Sequence, residues 1–293
     1  AQADPDPDFP TVPFPNPEEA GALDMAIEQA REQGADLIIA VDPDADRCAL
    51  AVPDPASETG WSPLSGDQIG SLLGEFLASR GMKGSLANSI VSSRLLSRIA
   101  RAHGLDHHTT LTGFKWIARA PGLGFGYEEA IGFCPDPGNV RDKDGIATSV
   151  VAASLVASLK AQGRSVWDEL ERLARLHGLH VSSPLTFRVD DIEQIASGMA
   201  RLRAQPPSVL AGSPVVEASD LSQGYRGLPP TDGVLVLTEA GDRVIARPSG
   251  TEPKLKCYLE VILPVAEGES LPWEQARERL EAIKGAFAEI IGL

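Results

Sequence analysis

Three aspartates in one short loop carry the strongest chemical signal of the sequence. Asp42, Asp44 and Asp46 lie at alternate positions, and Arg47 follows them directly. Three carboxylates so close together repel one another unless a cation neutralises them. Oxygen ligands suit a hard ion, Mg²⁺ before Ca²⁺ or Mn²⁺. The pattern alone fits a metal site and a solvated acidic turn equally well. An EF-hand is excluded, because its sixth and twelfth positions would fall on Arg47 and Pro53 instead of Gly and Glu.

The segment Arg247–Pro253 has the residue types that bind phosphate. It offers a guanidinium, the hydroxyls of Ser249 and Thr251, and a glycine, Gly250, that lets backbone N–H groups face a ligand. Lys254 and Lys256 follow in an otherwise acidic chain, and no Walker motif is present. A plain hairpin loop is the alternative interpretation, and the pattern by itself slightly favours it.

A third group of polar residues lies between these two loops. Glu128 and Glu129 follow a strand-like stretch, and paired carboxylates can accept hydrogen bonds from sugar hydroxyls. Lys143 is a candidate proton donor or phosphate contact, whereas Asp144 is more plainly a helix cap. The segment that contains Thr112, Gly113 and Lys115 predicts a loop before a short helix, and the role of Lys115 stays open from the residues alone.

Several other chemistries are excluded by spacing. A dinucleotide-binding fingerprint fails because Tyr127 stands where the third glycine belongs. His107 and His108 lack a third metal ligand at a useful distance. The G-x-S-x-G elbow of serine hydrolases is absent.

The elements around the acidic loop follow from hydrophobic patterning. The fully apolar run Leu37–Val41 predicts a buried strand ending at the loop, where the carboxyl edge of a parallel sheet would gather ligands. Asn16 predicts a helix start that runs to Gly34, and Asp67 predicts a second helix cap. The weakly polar stretch Gly145–Leu159 predicts a buried helix too short to span a bilayer.

The order of elements predicts an α/β protein with an α+β C-terminal part. An α/β rhythm restarts near Leu86, and the last third has five strand-like runs followed by an amphipathic helix from Trp273 to Ile290. We place boundaries near residues 83 and 185, which divides the chain into 1–83, 84–184 and 185–293.

Composition limits the classes of partner. The chain has 293 residues and a net charge of −15, so it offers no basic surface on average for nucleic acid. Three cysteines with no close spacing disfavour a disulfide framework and indicate a reducing compartment, the cytoplasm. No signal peptide and no membrane span are visible, and monomer and dimer both stay open.

Taken in order, these motifs resemble the α-D-phosphohexomutase family over nearly the whole chain. The opening Pro5–Val12 and Asn16–Glu18 resemble the family's run before its metal loop. Asp42–Arg47 is similar to its D-x-D-x-D-R metal loop, Gly126–Gly132 to its sugar-binding loop, and Arg247–Pro253 to its phosphate-binding loop.

The resemblance implies a fold and a reaction. The fold would consist of mixed-sheet α/β domains, the second metal-binding and the third sugar-binding, followed by a phosphate-binding, TATA-binding-protein-like fourth domain of helix-grip type. A phosphoserine would exchange phosphoryl groups with a sugar phosphate through a sugar bisphosphate, which also serves as activator. One Mg²⁺ would sit on Asp42, Asp44 and Asp46.

The same resemblance implies roles for the other side chains. Lys143 and Arg47 would take part in catalysis. The substrate contacts would come from all three regions: Thr112, Gly113, Lys115, Glu128, Glu129, Arg247, Ser249, Gly250, Thr251 and Lys256.

The chain departs from the family pattern in ways that leave the substrate open. The nucleophile motif Thr-Ala-Ser-His-Asn-Pro is absent, so we expect the phosphoserine domain to be missing and this fragment alone to be inactive. Ala130 replaces the serine of the sugar loop, and Lys256 stands where many relatives have Arg. The run from Glu128 to Gly132 favours a phosphoglucomutase or phosphopentomutase-like branch. A sugar-phosphate binding module without catalysis is the rival from another class, and a phosphatase using Asp42 is the weaker one.

Overall fold

The computed structural model describes residues 2, 4, 6–249 and 253–292, and the chain forms two compact units. The first unit comprises Ala1–Ile90 and Leu96–Leu170, and the second comprises Val91–Leu95 and Glu171–Leu293. Mixed α/β layers in the first and a helix-covered sheet in the second confirm the predicted fold class. The three-part division at residues 83 and 185 stays a prediction.

The first unit contains two sheets. A three-stranded antiparallel sheet has the order β1-β2-β3, with β1 (Ile38–Val41), β2 (Cys48–Pro53) and β3 (Trp61–Pro63). A four-stranded sheet has the order β5-β4-β6-β7, with β4 (Ser85–Ser89), β5 (His107–Thr110), β6 (Leu123–Glu128) and β7 (Gly132–Cys134). Strand β4 runs parallel to β5 and β6, whereas β7 is antiparallel. The acidic loop joins β1 to β2, so an antiparallel pair, and not the predicted parallel edge, positions it.

Six helices begin within or border this unit: α1 (Asp24–Gln33), α2 (Gly66–Ser79), α3 (Leu95–Ala102), α4 (Phe114–Ile117), α5 (Gly145–Ala161) and α6 (Val166–His177). Helix α2 lies close against β6, because a Cβ on Gly70 would come within 2.4 Å of the Tyr127 ring. The predicted Asp67 cap is wrong. Ser65 caps α2 through a capping box with Gln68, and buried Asp67 accepts a hydrogen bond from the Tyr127 hydroxyl at 3.0 Å.

The predicted start of α1 at Asn16 is also wrong. The Asn16 side chain accepts a hydrogen bond from the Glu18 amide at 3.1 Å, which forms a local turn instead of a helix cap. Gly21 then has a φ of +81°, a left-handed conformation that a continuous right-handed helix cannot contain. The helix therefore begins at Asp24, and it ends at Gly34 as predicted.

Two predicted buried elements have an exposed side. Strand β1 is the edge of its sheet, and Ile39 and Val41 are exposed, so it is not fully buried. Helix α5 buries one face, but Ile146 is 61% exposed and Val150 is 64% exposed. A run of apolar residues indicates only that some face of the element is buried. Which side chains are buried depends on the elements that pack against it.

The second unit is a six-stranded antiparallel sheet covered on one face by two helices. The strand order is β8-β13-β12-β11-β10-β9, with β8 (Leu179–Arg188), β9 (Val209–Leu210), β10 (Ser213–Asp220), β11 (Val234–Thr238), β12 (Arg243–Pro248) and β13 (Lys254–Leu263). The covering helices are α7 (Ile192–Ala204) and α8 (Trp273–Ile291). Helix α8 buries Ala276, Leu280, Ile283 and Phe287 against the sheet, which confirms its predicted apolar stripe.

One buried carboxylate organises the other face of this sheet. Glu260 on β13 accepts hydrogen bonds from the Ser93 hydroxyl at 2.7 Å and from the Arg94 amide and Nε at 2.8 and 2.5 Å. Burial opposes ionisation, but the charges of Arg243 and Arg94 outweigh it and lower the pKa of Glu260 to about 2. The segment Val91–Leu95 is thereby bound to β12 and β13 by a buried, multiply bonded charge.

The cysteines and the helix lengths complete the description of the fold. Cys48, Cys134 and Cys257 are buried and free. Over the described residues, no single helix is long and apolar enough to cross a bilayer, and only the bent pair of α5 and α6 meets the length and composition criteria together.

Candidate functional site

The three loop aspartates converge in the structure. One carboxylate oxygen from each of Asp42, Asp44 and Asp46 lies within 4.8 Å of the others. The backbone makes this possible through a tight turn, in which the Ala45 amide donates to the Asp42 carbonyl at 2.9 Å and Ala45 has a φ of +57°. The turn directs alternate side chains to one side of the loop, so the predicted grouping of the carboxylates is present.

Two cations partly neutralise the loop. Arg47 donates to buried Asp42 through its amide at 3.0 Å and its Nε at 2.6 Å. Burial alone would raise the pKa of Asp42, but these bonds to Arg47 outweigh it and the pKa is lowered. Lys143 lies 2.8 Å from Asp46. Burial would lower the pKa of Lys143, yet the hydrogen bond and charge of Asp46 raise it and keep the amine protonated.

Close backbone packing joins the acidic loop to its neighbours. The Cys48 amide donates to the Ile131 carbonyl at 3.0 Å, and Arg47 bridges to Gly132 across the two loops. The Gly145 amide donates to the Ala45 carbonyl at 3.1 Å, and a Cβ on Gly145 would lie 2.6 Å from the carbonyl oxygens of Ala45 and Arg47. One packed assembly within the first unit therefore contains the acidic loop, the predicted sugar loop (126–132) and the start of α5.

Glu128 lies beside Lys143 in this assembly. A Cβ on Gly132 would contact Lys143 Cδ at 2.6 Å and Glu128 Oε1 at 2.9 Å, so both side chains cross the same glycine. Burial raises the pKa of Glu128 to about 7, the Glu129 and Asp46 charges add to the rise, and Lys143 and Arg47 oppose it. A carboxyl poised near neutrality can both donate and accept hydrogen bonds, which suits contact with hydroxyl groups.

The remaining predicted residues of the first unit have different surroundings. Glu129 is half-buried and its carboxylate accepts a hydrogen bond from Ser89 at 2.9 Å, so it is held beside β4. Thr112 is half-buried, Gly113 begins α4 with a φ of +100°, and Lys115 is exposed with its amine 6.0 Å from the Trp116 ring. Their roles in substrate binding stay predictions.

The predicted phosphate loop belongs to the second unit. Arg247 lies opposite Lys256 in the β12–β13 ladder, and the Ser249 amide donates to the Lys254 carbonyl at 2.8 Å. Arg247 and Ser249 are half-buried and Lys256 is exposed. Gly250 and Thr251 lie outside the described residues.

The oxygen donors fit a hard divalent cation. Three carboxylates on one turn supply three anionic oxygens, and those already bonded to Arg47 and Lys143 retain further lone pairs. No Cys or His joins the group among the described residues, which disfavours a soft-metal site.

Some neighbours of the site were not anticipated from the sequence. The Phe114 ring lies 5.6 Å from the Lys143 amine, and Asp142 is a second carboxylate 3.6 Å from it. Ser89 fixes Glu129 from β4. The position of Asp142 next to Lys143 was visible in the sequence, but the contacts of Phe114 and Ser89 depend on tertiary packing.

Family models cover most of the chain in order. Residues 1–56 match the phosphoglucomutase/phosphomannomutase alpha/beta/alpha domain II, residues 65–176 match domain III, and residues 187–274 match the C-terminal domain of the same family. The order of the three matches agrees with the family predicted from the motifs.

Individual relatives extend this match. A Haemophilus influenzae protein named "Probable phosphomannomutase" is 46% identical over 258 residues, which covers 87% of this chain and 52% of the relative. A Mus musculus phosphopentomutase is 33% identical, covering 98% of this chain and 51% of that protein. A Paramecium phosphoglucomutase structure, pp63/parafusin in its open form, matches with a TM-score of 0.68 at 19% identity, over 96% of this chain and 51% of that one. This chain spans about half the length of the relatives it matches.

Proposed function

The chain belongs to the α-D-phosphohexomutase superfamily, and from that premise we propose that it supplies the metal, sugar and phosphate sites of a Mg²⁺-dependent phosphosugar mutase. The reaction would interconvert a sugar 1-phosphate and a sugar 6-phosphate by intramolecular phosphoryl transfer. The phosphoserine of that reaction would come from the part of the relatives' length that these 293 residues do not match, so we expect these residues by themselves to bind substrate but not to turn it over.

One observation carries the proposal: Asp42, Asp44 and Asp46 converge within 4.8 Å beside Arg47, Lys143 and Glu128. An isolated acidic turn would not need an adjoining lysine, arginine and near-neutral carboxyl. These groups supply a cation site, positive charge for a phosphoryl group and a hydrogen-bonding group for hydroxyls. A bound divalent cation would draw electron density from a coordinated phosphoryl oxygen and favour attack at phosphorus.

The chain's own residues then have separate tasks. Arg47 orients Asp42 and adds positive charge next to the phosphoryl position. Lys143, held protonated by Asp46, stabilises phosphoryl charge or donates a proton to the alkoxide oxygen that leaves phosphorus. Glu128 holds sugar hydroxyls. In the second unit, Arg247 and Ser249 hold a phosphate that is not being transferred.

The substrate is the open choice within this proposal. The bacterial relative favours hexose phosphates, and the 33% identity with a phosphopentomutase along 98% of the chain favours pentose phosphates as the alternative. A sugar-phosphate binding module without catalysis is the remaining alternative. A binding module would have the same metal, sugar and phosphate sites as a mutase. It would differ from a mutase only because it would not turn over substrate when a phosphoserine domain is supplied.

The first test is metal binding by isothermal titration calorimetry with MgCl₂ and MnCl₂. Asp44→Asn removes one anionic ligand while keeping the side-chain shape, and we expect the affinity to fall at least about 10-fold. Asp106→Asn is the matched control, because Asp106 is an exposed aspartate of the same unit. Equal affinity in wild type and Asp44→Asn would defeat the metal assignment.

The second test is substrate binding, followed by ³¹P NMR with Mg²⁺ present. Wild type should bind glucose 1-phosphate or ribose 1-phosphate, and the preferred sugar decides between hexose and pentose. Turnover is then measured after adding a separately produced phosphoserine domain of a relative. Binding of neither sugar phosphate would overturn the proposed function, whereas binding without turnover would favour the binding module.

A further inference from the structure

Four cationic side chains line one end of the sheet in the second unit. Arg247 on β12 lies directly opposite Lys256 on β13, and Lys254 on β13 lies directly opposite Arg188 on β8. Opposite residues of an antiparallel pair share a face of the sheet, and so do residues two apart on one strand. Arg188, Arg247, Lys254 and Lys256 therefore form one cationic strip across three strands.

The strip lies on the face that the helices leave free. Leu255 and Cys257 alternate with the lysines on β13 and belong to the core under α7 and α8. On β8, Phe187 packs against the same core, so Arg188 points to the opposite face. Arg188 and Lys256 are exposed there, and Lys254 and Arg247 are half-buried.

Three of the four cations in the strip have no ion pair with a described carboxylate. Among the residues that the structure describes, Arg188, Arg247 and Lys256 make no ion pair, although the chain has a net charge of −15. Other arginines of the second unit do pair: Arg94 with Glu260, and Arg279 with Asp242. A concentration of unpaired cations on an acidic protein marks a place for an anion.

The distances between the four cationic residues allow several of their side chains to contact the same ligand. Directly opposite residues have Cβ atoms about 5 Å apart, and residues two apart on a strand are about 7 Å apart. Long Lys and Arg side chains bridge such gaps, so the strip can surround one phosphate monoester. The Ser249 end of the predicted phosphate loop adjoins it, since Ser249 bonds to Lys254.

We propose that Arg188 is a phosphate-binding residue, which adds β8 to a site otherwise built on the β12–β13 hairpin. Its ligand is the phosphate monoester dianion of a sugar phosphate, so this inference rests on the proposed function and extends it. The planar guanidinium contributes two parallel donors to phosphate oxygens. Arg188 and Arg247 share one face of the sheet and lie on the two strands that flank β13.

The experiment measures binding of inorganic phosphate and of glucose 6-phosphate to the chain by calorimetry at 20 and 150 mM salt. We expect Arg188→Ala to weaken both about 10-fold, which corresponds to the loss of one charge-assisted contact. Arg188→Lys should recover part of the loss, because it restores the charge without the fork. The matched control is Arg277→Ala, an exposed arginine on α8, which covers the other face of the sheet.

Each outcome separates the two ideas. If Arg247→Ala weakens binding and Arg188→Ala binds as wild type does, the inference is overturned while the proposed function stands. If wild type binds neither probe, both fail. Loss of binding in Arg188→Ala with recovery in Arg188→Lys and an unchanged Arg277→Ala supports the inference, since a folding defect would not be rescued by charge. Thermal melts check that all variants fold.

Discussion

At the residue scale, Glu128 is where burial and charge act against each other most directly. Desolvation and the Glu129 charge disfavour its ionised form, and Lys143 favours it, with a resulting pKa of about 7. Such a balance depends on few neighbours, so single substitutions should move it in directions fixed by the sign of the charge removed.

We predict the two shifts from these signs. Glu129→Gln removes a negative charge and should lower the pKa of Glu128, whereas Lys143→Met removes a positive charge and should raise it above its wild-type value of about 7. The measurement is a ¹³C NMR titration of side-chain carboxyls between pH 4 and pH 9, with a chelator present to exclude metal ions.

The control for this titration is Glu58→Gln, which removes an exposed carboxylate from the loop before β3. It should leave the Glu128 curve in place. An unchanged Glu128 curve in both Glu129→Gln and Lys143→Met would show that burial alone sets the pKa of Glu128 and would contradict the two predicted shifts. Because the folded pKa lies above the usual value of about 4.3, Glu128 stabilises the fold fully below that value and less as the pH rises through 7.

Residue types predicted the acidic loop well, and the contacts around it less well. Alternation at Asp42, Asp44 and Asp46 is visible in the sequence and survives as a cluster. The ion pair between Lys143 and Asp46 joins residues far apart in the sequence, so no local sequence pattern predicts it. Only part of the cationic strip can be predicted from the sequence. The alternation of Lys254 and Lys256 is local, whereas Arg188 joins them only through the register of β8 with β13.

At the element scale, the site depends on backbone contacts that exclude side chains. The beginning of α5 touches the acidic loop where Gly145 meets the carbonyl oxygens of Ala45 and Arg47. The φ angle of Gly145 is not positive, so the backbone conformation does not require a glycine at this position. It is needed because a Cβ would lie 2.6 Å from two backbone oxygens, which cannot move without displacing the loop.

Gly145→Ala should therefore damage both the fold and the loop. We expect a loss of about 1–3 kcal/mol in the free energy of unfolding, as for an overpacked site, and weaker Mg²⁺ binding than wild type. Urea unfolding followed by circular dichroism gives the first quantity, and calorimetry gives the second.

Gly285→Ala is the matched control for that substitution. Gly285 lies inside α8 with no atom within 4 Å of an added Cβ, so alanine should stabilise the helix by up to about 1 kcal/mol. Unchanged stability and unchanged metal binding in Gly145→Ala would mean that the start of α5 can move away from the acidic loop without loss of free energy. That result would contradict the close contact.

Element types were easier to predict than element boundaries and faces. Most strands and helices of the second unit follow their apolar patterns, because residues of a sheet with one covered face tend to alternate between buried and exposed. Helix α1 starts eight residues after Asn16 since Gly21 breaks the turn, and α5 leaves Ile146 and Val150 exposed. Those outcomes depend on backbone conformation and on which neighbours are present.

At the scale of the whole molecule, two compact units divide the cysteines between them. Cys48 and Cys134 belong to the first unit and Cys257 to the second. All three thiols are buried, and burial raises their pKa values to about 11, about 12 and about 12 respectively. Inaccessibility and suppressed ionisation both prevent reaction with an alkylating reagent, because the thiolate is the reactive form.

These thiols therefore report the unfolding of each unit separately. We predict that none reacts with a short pulse of iodoacetamide at pH 8 in native conditions, and that all three react in high urea. Cys48 and Cys134 should become reactive at the same urea concentration, because both belong to the first unit, in which α5 packs against β2 and β7. Mass spectrometry of proteolytic peptides assigns the label to each cysteine. Separate midpoints for Cys48 and Cys134 would show that the acidic loop and the four-stranded sheet open independently, and the site could then not be treated as one preorganised structure.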